Sequence, residues 1–102
     1  MKAVKITGRV CREIEIENDL KALQRAVDGF IETITLGNDT VMIVDEEGLL
    51  HNKEINEVAS IAAGTGIVGT SLVVGTDGED FCDCPERIAK SFLDLHRALH
   101  HE

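Results

Sequence analysis

The segment 30–48 limits most strongly what this chain can fold into. Two stretches rich in Ile, Val and Thr flank Gly37-Asn38-Asp39, and a short glycine-containing connection between two such stretches predicts a β-hairpin. The second stretch, Val41-Met42-Ile43-Val44, is apolar at four successive positions. Because successive strand residues point to opposite faces, this run predicts a strand covered on both faces or central in its sheet. We therefore expect the rest of the chain to pack around this hairpin.

Composition excludes several classes of protein. The chain has 102 residues, which predicts one domain spanning residues 1–102. Its formal net charge is −9 and its only aromatic residues are three Phe, so neither a basic surface nor a stacking platform for nucleic acid is expected. It has three cysteines, no long apolar run and no signal-peptide pattern, which favours a cytoplasmic protein without a disulfide framework.

The first half of the chain is predicted to form a hairpin, a helix and the central hairpin. Residues 2–7 and 10–17 alternate apolar and polar side chains around a turn, as antiparallel strands with one solvated face do. Asn18 is a suitable N-cap for a helix over about 19–28, and Gly29 is a suitable stop. The apolar stripe of this helix is predicted to consist of Leu20, Leu23 and Val27.

The second half predicts two more helices and another strand. Leu49-Leu50 is expected to add a short strand, and Asn52 to cap a helix over about 53–63. Residues 67–74 predict an apolar strand, and a C-terminal helix is expected from about Pro85 to residue 100. Its apolar stripe is expected to bury against the sheet or a second copy. The predicted fold is α+β, with an antiparallel or mixed sheet of about five strands, two short helices and a C-terminal helix.

Two motifs that resemble functional sites have structural explanations. Residues 64–69 spell G-x-G-x-x-G, but a helix is predicted before the glycines and a strand after them, the reverse of a dinucleotide-binding turn. Cys82, Cys84, His96 and His100 provide four zinc-ligand types, but C-x-C is an unfavourable spacing and the histidines suit the last turn of a helix. No metal site and no cofactor is therefore predicted.

The best candidates for ligand binding are Glu32, Asp45, Glu46 and Asn56. Glu32 lies on the apolar face of the predicted hairpin, where an unpaired carboxylate is costly to bury. A buried acid with a raised pKa would indicate function. The alternatives are that Glu32 faces solvent at a sheet edge or accepts backbone hydrogen bonds at a helix end.

Most of the chain, from about residue 2 to residue 95, resembles the family called domain of unknown function 3846. The family pattern L-x-x-L-Q-x-x-V-x-G-x-I-E, an acidic turn and a glycine in the last strand correspond to Leu20, Leu23, Gln24, Val27, Gly29, Ile31, Glu32, Glu46, Glu47, Gly48 and Gly69. The chain departs from it at Asp28, commonly a second glycine, and at Asp45, often Asn. The resemblance implies a protein encoded by phages, prophages, plasmids or conjugative elements and acting in a bacterial host. It transfers no catalytic residue.

These observations favour a non-enzymatic accessory protein that sequesters a host defence or regulatory component. That component is expected to be a protein or a small nucleotide-like signal. An anionic ligand would need basic contacts, and the basic residues concentrated in the N-terminal third include Lys2, Lys5, Arg9, Arg12 and Arg25. The alternatives are a small metal- or carboxylate-dependent hydrolase and a purely structural homo-oligomer, such as a dimer paired through its C-terminal helix.

Overall fold

The computed structural model describes residues 1–100 and has an α+β fold. Its strands are β1 (Lys2–Ile6), β2 (Cys11–Glu15), β3 (Ile31–Gly37), β4 (Thr40–Asp45), β5 (Ser71–Asp77) and β6 (Asp80–Cys82). Its helices are α1 (Leu20–Val27), α2 (Glu57–Ala63) and α3 (Glu86–His100). The strands form one antiparallel sheet in the order β2-β1-β5-β4-β3, and β6 also pairs with β5. The predicted fold class is confirmed, with six strands in place of about five.

Helices cover both faces of the sheet, which explains the continuous apolar run in β4. Met42 and Val44 point towards the side that α2 and α3 cover, and Ile43 points towards α1. All three are buried. β4 lies between β5 and β3, so its backbone is paired on both edges as well. The prediction that residues 41–44 form a strand covered on both faces is confirmed.

The central hairpin has a shorter turn than predicted. β3 and β4 are joined by Asn38-Asp39, and the strand register shifts between Thr35 and Gly37, as at a β-bulge. With one extra residue in β3, Gly37 lies within the strand, opposite Thr40, and not in the three-residue loop that the sequence predicts. β3 is the last strand in the sheet order, so one of its edges faces solvent.

The boundaries of α1 differ from the prediction at both ends. Asp19, and not Asn18, is the N-cap, because its carboxylate accepts the Ala22 N–H at 2.8 Å. Leu20 is 56% exposed, so it does not belong to the buried stripe. Asp28 ends the helix in the left-handed conformation, with φ 56°. A glycine takes this conformation more easily than an aspartate does.

Three further predictions in the second half of the chain are wrong. Leu49-Leu50 forms turns, not a strand, and both side chains are exposed. Asn52 has φ 55° and does not cap α2. The cap is Asn56. β5 begins at Ser71, because the chain at Gly69 takes φ 78°, which a regular strand does not allow.

The C-terminal helix packs on its own sheet. Ala89 and Phe92 are buried on the face shared with α2, and Ile88 and Leu95 are partly buried beside them. Most of the apolar stripe is therefore buried against the sheet, as the first of the two predicted options has it, whereas Leu99 near the end of the helix is 38% exposed. Among residues 1–100, no helix has the length and hydropathy needed to cross a membrane.

Candidate functional site

Asp45 is the centre of a buried polar cluster at the end of β4. Its side chain is fully shielded from solvent. Oδ2 lies 2.7 Å from the Lys53 ammonium and 2.7 Å from His51 Nδ1, and Oδ1 accepts the Glu47 N–H at 2.9 Å. Three donors therefore satisfy this carboxylate, as a buried charge requires.

Lys53 connects Asp45 to the end of α1. Its ammonium donates to the carbonyl oxygens of Val27 and Asp28, both at 2.7 Å, in addition to its contact with Asp45. An ammonium has three hydrogens, so its donors are fully used. The carbonyl groups at the end of a helix lack partners within the helix and carry its negative dipole end. Lys53 therefore neutralises the end of α1 and fixes it to β4.

Two glycines allow this cluster to form. A Cβ at Gly29 would overlap the Asp45 carboxylate, and a Cβ at Gly69 would lie 2.6 Å from Lys53 Cδ. At Gly69 the positive φ also disfavours any other residue. Gly69 is therefore a position where the Lys53 side chain approaches the backbone closely. Gly29 is required for space and not, as predicted, for a left-handed helix stop, because Asp28 takes that conformation.

The electrostatics of the cluster favour an ionised Asp45. Burial alone would raise the pKa of its carboxyl, but the hydrogen bonds from Lys53, from the Glu47 N–H and from His51 outweigh burial. The pKa therefore lies below its ordinary value. A carboxylate held in this way is a weak base. Asp45 thus has the properties of a positioning residue and lacks those of a general base.

His51 extends from this cluster into an open cleft. Since a carboxylate only accepts hydrogen bonds, Nδ1 carries the proton in the contact with Asp45, and Nε2 is left for other partners. The His51 side chain is 43% exposed. It borders a cleft of about 450 Å³ together with Lys21, Gln24, Arg25, Asp28, Gly29, Phe30 and Glu47.

The cleft combines two cations with an exposed aromatic ring. Lys21 and Arg25 are one turn apart on α1, both are exposed, and neither makes an ion pair within residues 1–100. Phe30 is 62% exposed at the same cleft. Asp28 and Glu47 add negative charge at its rim. Cationic groups beside an aromatic face suit a ligand that has both an anionic part and a flat apolar part.

The structure separates the four residues predicted to bind a ligand. Glu32, Asp45 and Glu46 border a second cavity, of about 350 Å³, between the end of β4 and Ile67. Glu32 is exposed on edge strand β3, as the first of the alternatives to burial proposed. Asn56 does not border this cavity. A role for the four residues in ligand binding stays a prediction.

Asn56 has a structural role. It is fully buried, and its Oδ1 accepts the Ala59 N–H as the N-cap of α2. Its Nδ2 donates to the carbonyl oxygens of Ile6 and Gly69, each at 2.9 Å. All its side-chain polar atoms have protein partners, so this asparagine fixes α2 to β1 and to the segment before β5.

The Cys and His residues do not form a metal cluster in the part of the chain that the structure describes. Cys84 is buried in the core, and its pKa rises to about 11, mainly because burial disfavours the thiolate. The rings of His96 and His100 are 4.4 Å apart at the end of α3, where His96 Nε2 lies 3.1 Å from the Arg9 carbonyl oxygen.

The sequence interpretation missed Lys53, His51, Lys21 and Phe30. Lys21 and Arg25 had a detectable signal, since two cations four residues apart on a helix share a face. Lys53 had none, because its partners at residues 27 and 28 are distant in sequence.

Comparison with known proteins identifies the family. The model of the domain of unknown function DUF3846 matches residues 1–97. The chain belongs to the DUF3846 family. No curated protein and no solved structure gives a significant match. The resemblance inferred from the sequence is therefore confirmed, and DUF3846 membership carries no assigned activity.

Proposed function

We propose that this DUF3846 protein is a non-enzymatic binding protein of a phage or mobile element, and that it sequesters a small nucleotide-like signal of its bacterial host. The observation that carries the proposal is the cleft beside α1. There, the exposed Phe30 ring lies with Lys21 and Arg25, two cations that make no ion pair within residues 1–100.

Each group at the cleft has a role in this proposal. The base of the ligand stacks on Phe30, since every base has a face that suits an aromatic ring. Its phosphate accepts hydrogen bonds from Lys21 and Arg25. His51, which Asp45 fixes through Nδ1, directs Nε2 to the ligand. A volume of about 450 Å³ lies within the range of about 300–1,000 Å³ for small-molecule sites.

The end of α1 is compatible with an anion because of Lys53. Without it, the carbonyl oxygens of Val27 and Asp28 would repel a phosphate near the helix end. Lys53 occupies both oxygens. The net charge of −9 still opposes the approach of an anion, so binding depends on local contacts and weakens as salt screens them.

The state of Asp45 supports sequestration without chemistry. Three donors hold its carboxylate and lower its pKa, so it does not accept a proton readily at neutral pH. The protein then acts stoichiometrically in the host cytoplasm. A host protein as the sequestered component, and a homodimer through α3, are the other predictions from the sequence. At α3 the stripe already packs on the sheet and Leu99 is 38% exposed.

Isothermal titration calorimetry tests the proposal with a panel of nucleoside monophosphates, nucleoside diphosphates and cyclic dinucleotides. At least one class is expected to bind, and the ligand is expected to be recovered unchanged. Arg25→Glu should weaken binding by about tenfold or more, because it replaces an attractive charge with a repulsive one. Arg97→Glu, an exposed arginine on α3, is the matched control. Binding by no member of the panel, or recovery of an altered nucleotide, would overturn the proposal.

A further inference from the structure

The outer edge of β3 offers a free row of backbone donors and acceptors. The Glu46 N–H donates to the Phe30 carbonyl at 2.8 Å, so alternate residues from Phe30, namely Glu32 and Ile34, direct their backbone groups towards β4. Ile31, Thr33 and Thr35 therefore direct theirs outward. Edge strands are usually protected by charged residues, Pro, a β-bulge or a covering segment. β3 has no Pro, its one charged residue is Glu32 near one end, and its bulge lies at the other end, between Thr35 and Gly37. The middle of the strand has neither protection, and β3 is the last strand of the sheet within residues 1–100.

On one face of the sheet, exposed apolar side chains lie near one end of β3 and an apolar cleft lies near the other. Near Glu32, the turn residues Leu49 and Leu50 are 81% and 76% exposed, and they border a cavity together with Glu32 and Glu46. Near Leu36 there is a cleft of about 520 Å³. The apolar residues that line this cleft are Leu36, Ala62, Ile88, Phe92 and Leu95.

The two ends of β3 also differ in their charged groups. Glu32 and Glu46 are exposed at one end. At the other end Arg87 borders the cleft and uses Nη2 alone to bind both oxygens of Asp39, at 3.0 and 2.7 Å. Its Nη1 and Nε groups have no partner in the part of the chain described here, so this arginine can bind a further carboxylate.

We infer that β3 is a dimer interface, in which a second copy of this chain adds its own β3 antiparallel to the first. The register that pairs all of Ile31–Gly37 places Thr33 opposite Thr35, and Ile34 opposite Ile34 of the second copy. Glu32 then lies opposite Leu36, so no like charges face each other directly. Threonine pairs and apolar pairs of this kind stabilise neighbouring strands.

This arrangement brings the turn with Leu49 and Leu50 of each copy to the cleft beside Leu36 of the other copy. An antiparallel twofold pair sets the Glu32 end of one strand beside the Leu36 end of the other, and does so twice by symmetry. Leu49 and Leu50 of each copy then reach the cleft beside Leu36 of the other. Glu46 approaches the free donors of Arg87. The interface leaves the cleft beside α1 open, because that cleft lies against the opposite face of the sheet.

Sedimentation equilibrium of the intact protein over a range of concentrations tests this inference. The expected species has twice the chain mass of 11.1 kDa. Leu50→Glu should weaken the dimer by at least about tenfold, because it places a charge where an apolar side chain enters a cleft of the other copy. Since Leu50 is exposed in the single chain, this substitution should leave the fold intact. Val10→Glu is the matched control and should have no effect, because Val10 is exposed in the turn before β2, at the other edge of the sheet.

Thr33→Pro tests the strand pairing itself. It removes one outward N–H and leaves the ladder to β4 unchanged, so it should abolish dimerisation, whereas Thr33→Ser should not. Hydrogen exchange on the wild type provides a readout without substitution. The Thr33 and Thr35 amides should exchange rapidly at low concentration and slowly at high concentration, while those of Glu32 and Ile34 remain protected throughout.

Three results would overturn the inference. These are a monomer at all concentrations up to the millimolar range, a dimer that Leu50→Glu leaves unchanged, and rapid exchange of the Thr33 and Thr35 amides in the dimer. A dimer lost in Leu99→Glu but retained in Leu50→Glu would assign the interface to α3 instead.

Discussion

Removal of the Lys53 charge should destabilise the protein more than any other substitution of a lysine. Lys53→Met keeps most of the apolar stem, which is largely buried, and removes the ammonium. The Asp45 carboxylate then loses its cation, and the carbonyl oxygens of Val27 and Asp28 lose their donor. Loss of one partner of a buried ion pair costs about 3–5 kcal/mol. The free energy of unfolding of a domain of this size is about 5–15 kcal/mol, so a large share should be lost.

Urea denaturation followed by circular dichroism measures this effect. Lys90→Met, at an exposed lysine of α3, is the matched control and should change the free energy of unfolding by no more than about 0.5 kcal/mol. The double variant Lys53→Met/Asp45→Asn should lose less than the sum of the two single variants, because each single variant already breaks the shared contact. A loss below about 1 kcal/mol for Lys53→Met would refute the view that this ammonium fixes α1 to β4.

Three further predictions concern the same cluster and the core. Gly29→Ala should lower the free energy of unfolding by about 1–3 kcal/mol because its Cβ overlaps Asp45, whereas Gly66→Ala, with open space around it, should have little effect in the same urea assay. The pKa of Asp45 is lowered in the folded state. The ionised Asp45 carboxylate therefore stabilises the fold above about pH 4, and this stabilisation is lost as the pH falls through the folded pKa. Asp45→Asn should therefore flatten the acid limb of a plot of unfolding free energy against pH, and an unchanged limb would contradict the lowered pKa. Cys84, with a pKa of about 11, should react with iodoacetamide at pH 8 far more slowly than the partly exposed Cys82, as mass spectrometry of peptides would detect.

The fold was largely predictable because local patterns determine it. The apolar run at residues 41–44 predicts a covered strand, and the structure places it between β3 and β5. The helix boundaries were harder to predict from the sequence, because several residues suit each cap. Asn18 and Asp19 are both suitable N-caps, and Asp19 is the one that caps α1, because its carboxylate accepts the Ala22 N–H. In the same way Asn56 displaces Asn52 as the cap of α2, since Asn56 also binds the Ile6 and Gly69 carbonyls.

The candidate site was predictable only in part, because it depends on contacts between distant segments. The end of β4 was identified through Asp45 and Glu46, but the partner cation Lys53 lies in an irregular segment without a helix or strand pattern. Glu32 was a candidate because it shares a face with apolar residues, yet β3 is an edge strand and exposes it. Phe30 directly precedes β3, and its place beside the cations of α1 depends on how the chain turns between α1 and β3, which the sequence pattern does not show.

Nuclear magnetic resonance shows whether a nucleotide binds in the cleft beside α1. Uniformly ¹⁵N-labelled protein is titrated with the nucleotide of the panel that binds most tightly. We expect chemical-shift changes concentrated at Lys21, Arg25, Phe30 and His51, with the ligand spectrum unchanged over time. Shift changes concentrated at the cleft beside Arg87, or conversion of the nucleotide during the titration, would contradict it.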